Sequence, residues 1–530
     1  MGLNTQESPI GGDPSFASVA DNCVIDKLGR IGARKGWEAV SSNGAAVLGS
    51  SRGIETVFEF VDTSGSKVVI SAGNNKIFKG TGTLVDITPS GYSPSANNWK
   101  CATFNNHLYM FQSGHVPLIA TDDSGSFVME VITAHTGYSG TVPQGNEVLA
   151  AFGKLWVTDI VGNKHTVYWS DTLDGTKWTG GATGNLNLTT VWPTGNDEVV
   201  ALAAHNNFLV IFGKKSILVY SGASSPANMT LADTVEGVGC IARDSVQHTG
   251  TDILFLSDSG VRSFGRTIQE KSMPMRDISK NVRSDLTSLV PLQTNPIKSV
   301  YSADEAFYLL TLPDSDTTYC FDMRSPLQDG SQRVTTWSGL HPLALTTTEA
   351  GDIYFGLSSG VVKYAGYLDG TANYQMRYFS NPMDFGNASN LKFLKKFNIT
   401  IIGGQNTKST LNWGYDYSTN FTKQVFTLTG STNAGEYGVS EYNTTAEYTA
   451  SHLMSNYTKT TNFATKDALA SGNAAKIVKG TEIDTEFNNI ATASATKANA
   501  ANAALTGTTT AVTVNISGTL TADTITGGAY

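Results

Sequence analysis

A chain of 530 residues with 53 glycines, 10% aromatic residues and only 15% charged residues exceeds one ordinary domain several-fold, and its composition excludes a helical bundle or coiled coil in favour of a turn-rich, all-β protein. The net charge of −9 is spread thinly, and the absence of any basic run excludes a protein that grips nucleic acid by neutralising a row of phosphates.

In chain order, the opening MGLNTQESPIGGDPSF has no basic stretch followed by an apolar core, so it does not read as a secretory signal. Gln6 stands where a myristoylation motif needs Ser or Thr, and no segment reaches the roughly 20 apolar residues of a membrane span. The expectation is a soluble chain without a membrane anchor, made in the cytosol, whose residues 1–44 form an N-terminal arm. Cys23, Cys101, Cys240 and Cys320 lie far apart with no paired spacing, which argues for buried free thiols rather than a zinc site or a disulfide scaffold.

From about residue 45 the chain repeats. Short apolar runs centred on Val69, Tyr109, Trp156, Val210, Leu254, Tyr308 and Tyr354 follow one another at intervals of 40 to 54 residues. Most are followed, across turn-forming pieces such as AGNN, VGNK and SDSG, by a second strand ending in an aromatic, as in NKIFKG, TVYWSD and SILVYSG. Three or four strands repeated seven times predict a β-propeller of six or seven blades over residues 45–370; two successive sandwiches are the competing arrangement. Between the fifth and sixth units, Ile278, Val282, Leu286 and Leu289 share one helical face, which predicts a short helix packed on the propeller.

Beyond it, residues 371–432 read as a small β-domain in which FNITII and TLNWGYDYS are joined by the turn GGQNTK. Residues 433–465 are a polar linker too poor in apolar side chains to build a core. In the tail, residues 466–530, Thr481 and Asp484 are placed to cap a short helix carrying Ile483, Phe487 and Ile490 as one stripe. Val512, Val514 and Ile516 then alternate with polar residues as a strand would. These six apolar residues are the candidate partner-docking positions, since so short a helix is marginal without a partner.

No catalytic, cofactor-binding or metal-binding residue is expected. YWSDTLDGTKW, residues 168–178, resembles one sialidase Asp-box turn with shifted spacing. His107 and His205 occur in similar contexts, NNHLY and AAHNN, and read as equivalent structural positions without metal-ligand spacing. The chain has no P-loop, nucleophile elbow or dinucleotide fingerprint.

The stretches SVADNCVIDKLGRIGARKGWE, VVALAAHNNFLVIFGKKSILVYSG, GVGCIARDSVQHTGTDILFLSDSGVRSFG with DISKNV after it, and KKFNITIIGG with LNWGYDYS together resemble tail nozzle proteins of short-tailed bacteriophages, also called tail tubular protein B or phage stabilisation proteins. The resemblance covers most of residues 15–430. It implies a structural virion protein of the viral tail: a homo-hexamer of propeller subunits below the portal and adaptor ring. Through its channel, duplex DNA is retained and then ejected without specific binding. The segment AAKIVKGTEIDTEFNNIATA resembles one common in tail-fibre proteins, which implies a docking or tip element contacting fibres or tip proteins, although nozzle proteins do not generally end this way. A tail fibre or receptor-binding protein, and a carbohydrate-binding or carbohydrate-cleaving propeller, are the alternatives.

Overall fold

The computed structural model describes residues 1–8, 12–25, 30–123, 126–270, 277–383, 385, 407–415, 421–428 and 462–495. Two units divide the chain, Met1–Ala388 and Ser389–Tyr530.

The first unit is a seven-bladed β-propeller. Its blades are sheets spanning residues 54–86, 100–131, 145–187, 199–236, 247–263, 298–337 and 344–364, the last completed by Trp37–Ala39. All seven apolar runs singled out in the sequence are second strands of these blades. Blade five departs from the rest: it has three strands, and the helix Phe264–Glu270 follows directly on the third.

Blade four explains why the runs are continuous rather than alternating. Along Phe208–Gly213 and Ser216–Ser221 successive side chains point to opposite faces of the sheet. Leu209, Ile211, Leu218 and Tyr220 pack with Trp156, Val167 and Trp169 of blade three. Val210, Phe212, Ile217 and Val219 instead pack with Ile253 and Phe255 of blade five. Both faces are therefore buried, and each fully buried large apolar side chain contributes about 1.5–3 kcal/mol.

Tight turns set the register. Asn74–Asn75, Asn105–Asn106 and Asn206–Asn207 link adjacent strands of blades one, two and four, and both residues of each pair have φ between 46° and 66°. Two consecutive left-handed residues make the hairpin turn whose twist matches the strands, and asparagine tolerates that conformation better than other residues with a side chain. Asn207→Ala is expected to cost about 1 kcal/mol and Asn207→Gly almost nothing, as read from urea midpoints.

The N-terminal segment is part of the propeller's perimeter. Trp37–Ala39 pairs antiparallel with Gly360–Tyr364, as the outer strand of blade seven. Ala17–Asp21 lies parallel to Arg333–Trp337 of blade six and antiparallel to Arg377–Ser380, giving a six-stranded sheet. The ring thus closes between blades one and seven, where Ile54 and Val57 meet Ala344 and Val361, and is latched by a strand from the chain's beginning. The strands Ala17–Asp21 and Trp37–Ala39, read in the sequence as parts of an arm, and Arg377–Ser380, read as part of a small β-domain, are instead paired into the sheets of these two blades.

The segment after blade five forms a one-turn 3-10 helix, Lys280–Val282, followed by the helix Arg283–Leu289. Ile278, Val282 and Leu286 are buried against Leu3, Leu254 and Tyr308, with Leu289 packed alongside. In the second unit, Thr407–Trp413 pairs with Thr422–Leu428, so the strand in TLNWG is joined to the sequence after it; the partner expected for it, FNITII, lies outside the described residues. A helix spans Gly480–Ala495.

Candidate functional site

Charged side chains from four blades converge where the inner strands face one another. Lys100 begins the inner strand of blade two, Glu147 lies on that of blade three, and Lys298 begins that of blade six. Arg243 and Asp244 come from the one-turn 3-10 helix Arg243–Ser245, just before blade five. The Arg243 guanidinium donates to the Asn146 carbonyl and side-chain oxygens (2.6 and 2.8 Å), to Asn98 Oδ1 (2.8 Å) and to both oxygens of Asp244 (3.1 and 2.7 Å). Lys298 Nζ donates to Asp244 Oδ2 (2.8 Å) and to Asn98 Oδ1. Lys100 Nζ stands 3.4 Å from Asp244 Oδ1 and 3.6 Å from Glu147 Oε2. The Ser299 hydroxyl donates to the Asp244 carbonyl at 2.7 Å.

The two carboxylates have opposite electrostatics. Burial pushes the Asp244 carboxyl up, but Arg243, Lys298 and Lys100 outweigh it and hold the group well below the usual carboxylate range. At Glu147 burial wins over Lys100 and Arg243, and the carboxyl is held at about 7 against 4.5 for a free side chain. A high and a low carboxyl side by side is also the pattern of an acid–base pair. Here, however, Asp244 is saturated by cations, while Glu147 is 2% exposed and lies off the wall of the adjoining cavity of about 180 Å³. The arrangement braces four blades against one another.

The Glu147 shift gives a pH dependence. Between about pH 4.5 and 7 the unfolded chain has released a proton that the folded chain keeps. The folded state then binds more protons, so this group's contribution falls as pH rises through that window, by on the order of 3 kcal/mol in full. The difference in unfolding free energy between wild type and Glu147→Gln should therefore decline from pH 4.5 to 7.5 in urea titrations. A difference constant with pH would contradict the assignment.

A second charged constellation holds the latch. Arg34 is fully buried. Its guanidinium makes a two-pronged ion pair with Asp369 (2.8 and 2.7 Å), donates to Asn22 Oδ1 at 2.8 Å, and lies 4.1 Å from the Tyr374 ring centroid and 5.9 Å from that of Trp337. The Tyr374 hydroxyl donates back to the Arg34 carbonyl. Two residues on, Gly36 presses against the Leu368 backbone so closely that a Cβ there would collide with it, and Trp37 N–H donates to the Leu368 carbonyl at 2.8 Å.

Of the six expected docking residues, Ile483, Phe487 and Ile490 are exposed at 43%, 65% and 43% on the helix Gly480–Ala495. Val512, Val514 and Ile516 lie outside the described residues. The helix starts one residue before Thr481, which corrects the expected cap: Glu482 reaches back to accept from the Lys479 N–H at 2.9 Å and pairs with Lys466 at 2.9 Å. Thr481 is inside the first turn, its carbonyl accepting from the Thr485 hydroxyl.

His107 and His205 are not equivalent positions. His107 starts the second strand of blade two and His205 ends the first strand of blade four, on opposite sides of their Asn–Asn turns. In the Asp-box-like stretch, Asp171 accepts from the N–H groups of Thr172 and Ala182, and Asp174 from the N–H and hydroxyl of Thr176. Both carboxylates are consumed in holding a turn. The four cysteines are free, and burial pushes the Cys23 and Cys101 thiols up to about 12 and that of Cys240 to about 11. Among the described residues no cluster of His, Cys, Asp and Glu is placed to hold a metal ion, and no helix is long and apolar enough to cross a membrane.

No family model and no curated protein sequence matches this chain. Among solved structures it is similar to the extracellular domain of BT4673 from B. thetaiotaomicron, at 13% identity and a TM-score of 0.39 over 60% of this chain and 38% of that one. It is also similar to the WD40 β-propeller domain of Doa1, at 12% identity and a TM-score of 0.36 over 62% of this chain and 96% of that one. The Neurospora crassa Pan2 WD40 domain matches at 8% identity and a TM-score of 0.34, over 63% of this chain and 95% of that one. This chain thus spans well under half the length of the BT4673 domain.

Proposed function

We propose that this chain is a structural subunit of the tail nozzle of a short-tailed bacteriophage. Six copies form a tube below the portal and adaptor, through which DNA is retained and then ejected. The reading is supported by where the nozzle-like stretches fall in the fold. Residues 18–38 supply the latch: strands added to blades six and seven, and Arg34 between them. Residues 237–265 supply Arg243, Asp244 and blade five. Two of the nozzle-like stretches therefore lie in residues that hold the ring shut, which suits a subunit that keeps its shape under load. A net charge of −9 lets DNA slide past the subunit rather than adhere. The helix Gly480–Ala495, with its exposed apolar stripe, is the docking element for a fibre or tip protein.

Copy number tests the reading, because rings and fibres close on different rotational orders. Quantitative mass spectrometry of purified virions should give six copies per particle. Three copies, or a multiple of three larger than six, would replace the nozzle with a fibre.

A further inference from the structure

We propose that the open cavity on the propeller's perimeter, where the N-terminal segment meets blades six and seven, is a binding site for a neutral sugar residue. The cavity, of about 400 Å³, is lined among others by Asp21, Asp369, Asn373, Tyr374, Gln375 and Arg377. Its volume falls within the range of small-molecule sites, about 300–1,000 Å³.

The lining has the chemistry that vicinal hydroxyl groups need, acceptors and donors side by side. Asp21 Oδ2 accepts from Ser338 Oγ and Arg377 Nη2, both at 2.7 Å, whereas its Oδ1 has only the Thr336 hydroxyl at 3.4 Å. Asp369 gives one lone pair of each oxygen to Arg34 and keeps another on each. The side-chain amides of Asn373 and Gln375 are exposed and have no hydrogen-bond partner among the described residues.

Tyr374 supplies an apolar face. Its hydroxyl is anchored on the Arg34 carbonyl and one side of its ring is covered by the Arg34 guanidinium at 4.1 Å. Tyr374 is among the residues lining the cavity, and in the proposal its ring, fixed in this way, is the platform for the C–H face of a pyranose.

Charge selects the class of ligand. Asp21 is paired with Arg377 at 2.7 Å and Asp369 with Arg34, buried behind the wall, at 2.7 Å, so each carboxylate at the cavity is already neutralised by a cation beside it. An acidic sugar or a phosphate finds no surplus cation here, and a cationic ligand no surplus carboxylate. The site is independent of the nozzle reading.

Saturation-transfer NMR on the full chain, with the methyl glycosides of glucose, galactose, mannose and N-acetylglucosamine as probes, tests the proposal. Transfer to at least one glycoside is expected. It should drop at least five-fold in the double variant Asn373→Ala/Gln375→Ala, whose melting temperature should match the wild type because both residues are exposed. Ala372→Trp, which fills the cavity from its wall, should abolish the signal independently. No transfer to any of the four probes, or transfer undiminished in both variants, overturns the proposal.

Discussion

Arg34→Met should lower the stability of the propeller by about 3–5 kcal/mol, the cost of leaving one partner of a buried ion pair behind. The variant keeps an unbranched apolar stem and removes the guanidinium and its charge. Asp369 then loses both of its guanidinium bonds, Asn22 Oδ1 loses its 2.8 Å donor, and Tyr374 loses the cation on its ring. The urea midpoint should shift accordingly, and protease should cut first within residues 1–44, because the strand Trp37–Ala39 is held at the perimeter beside that pair. Arg34→Met combined with Asp369→Leu should recover part of the loss, since replacing both members of a buried pair by apolar residues removes the stranded charge. A single variant within about 0.5 kcal/mol of wild type would mean that the latch does not depend on Arg34.

Asp244→Ala should be as damaging, again by about 3–5 kcal/mol, for a different reason. It removes the one carboxylate that Arg243, Lys298 and Lys100 share, leaving three cations gathered from blades two and six and the entrance to blade five. Asp244→Asn retains the shape and loses the charge, and should fall between wild type and Asp244→Ala. Because the Asp244 carboxyl titrates well below the usual range, its contribution is present above the unfolded carboxylate value and is lost as pH falls below it. The deficit of Asp244→Ala relative to wild type should therefore shrink in acid. A deficit that stays constant down to the point of acid unfolding would point to lost packing rather than lost ion pairs.

The blades were legible because each second strand is buried on both faces, which turns a strand such as Phe208–Gly213 into an unbroken apolar run. Hairpin chemistry marks where Lys67–Gly73 ends, at Asn74–Asn75, and where Phe208–Gly213 begins, after Asn206–Asn207. The destination of residues 17–39 was not legible. Their short strands pair with partners more than 300 positions away, such as Asp21 with Thr336 and Trp37 with Tyr364, and local pattern carries no record of so distant a pairing. The axial network was hidden for the same reason. Arg243 and Asp244 look like any charged pair in a turn, and only closure of the ring brings them to Lys100, Asn146 and Lys298. A faint signal was present, since Lys100 and Lys298 each open an apolar inner strand, where a lysine is out of character. In the tail, the apolar stripe was readable from helical spacing, but the cap was misplaced by two residues, because the helix begins at Gly480 and Glu482 reaches back to the Lys479 N–H.

An asymmetric reconstruction of the tail in virions that carry this chain tests the central claim most directly. The account predicts six propellers of seven blades each around the tail axis below the portal, enclosing a lumen wide enough for duplex DNA. Propeller density in three-fold peripheral spikes, or none in the tail at all, would contradict it.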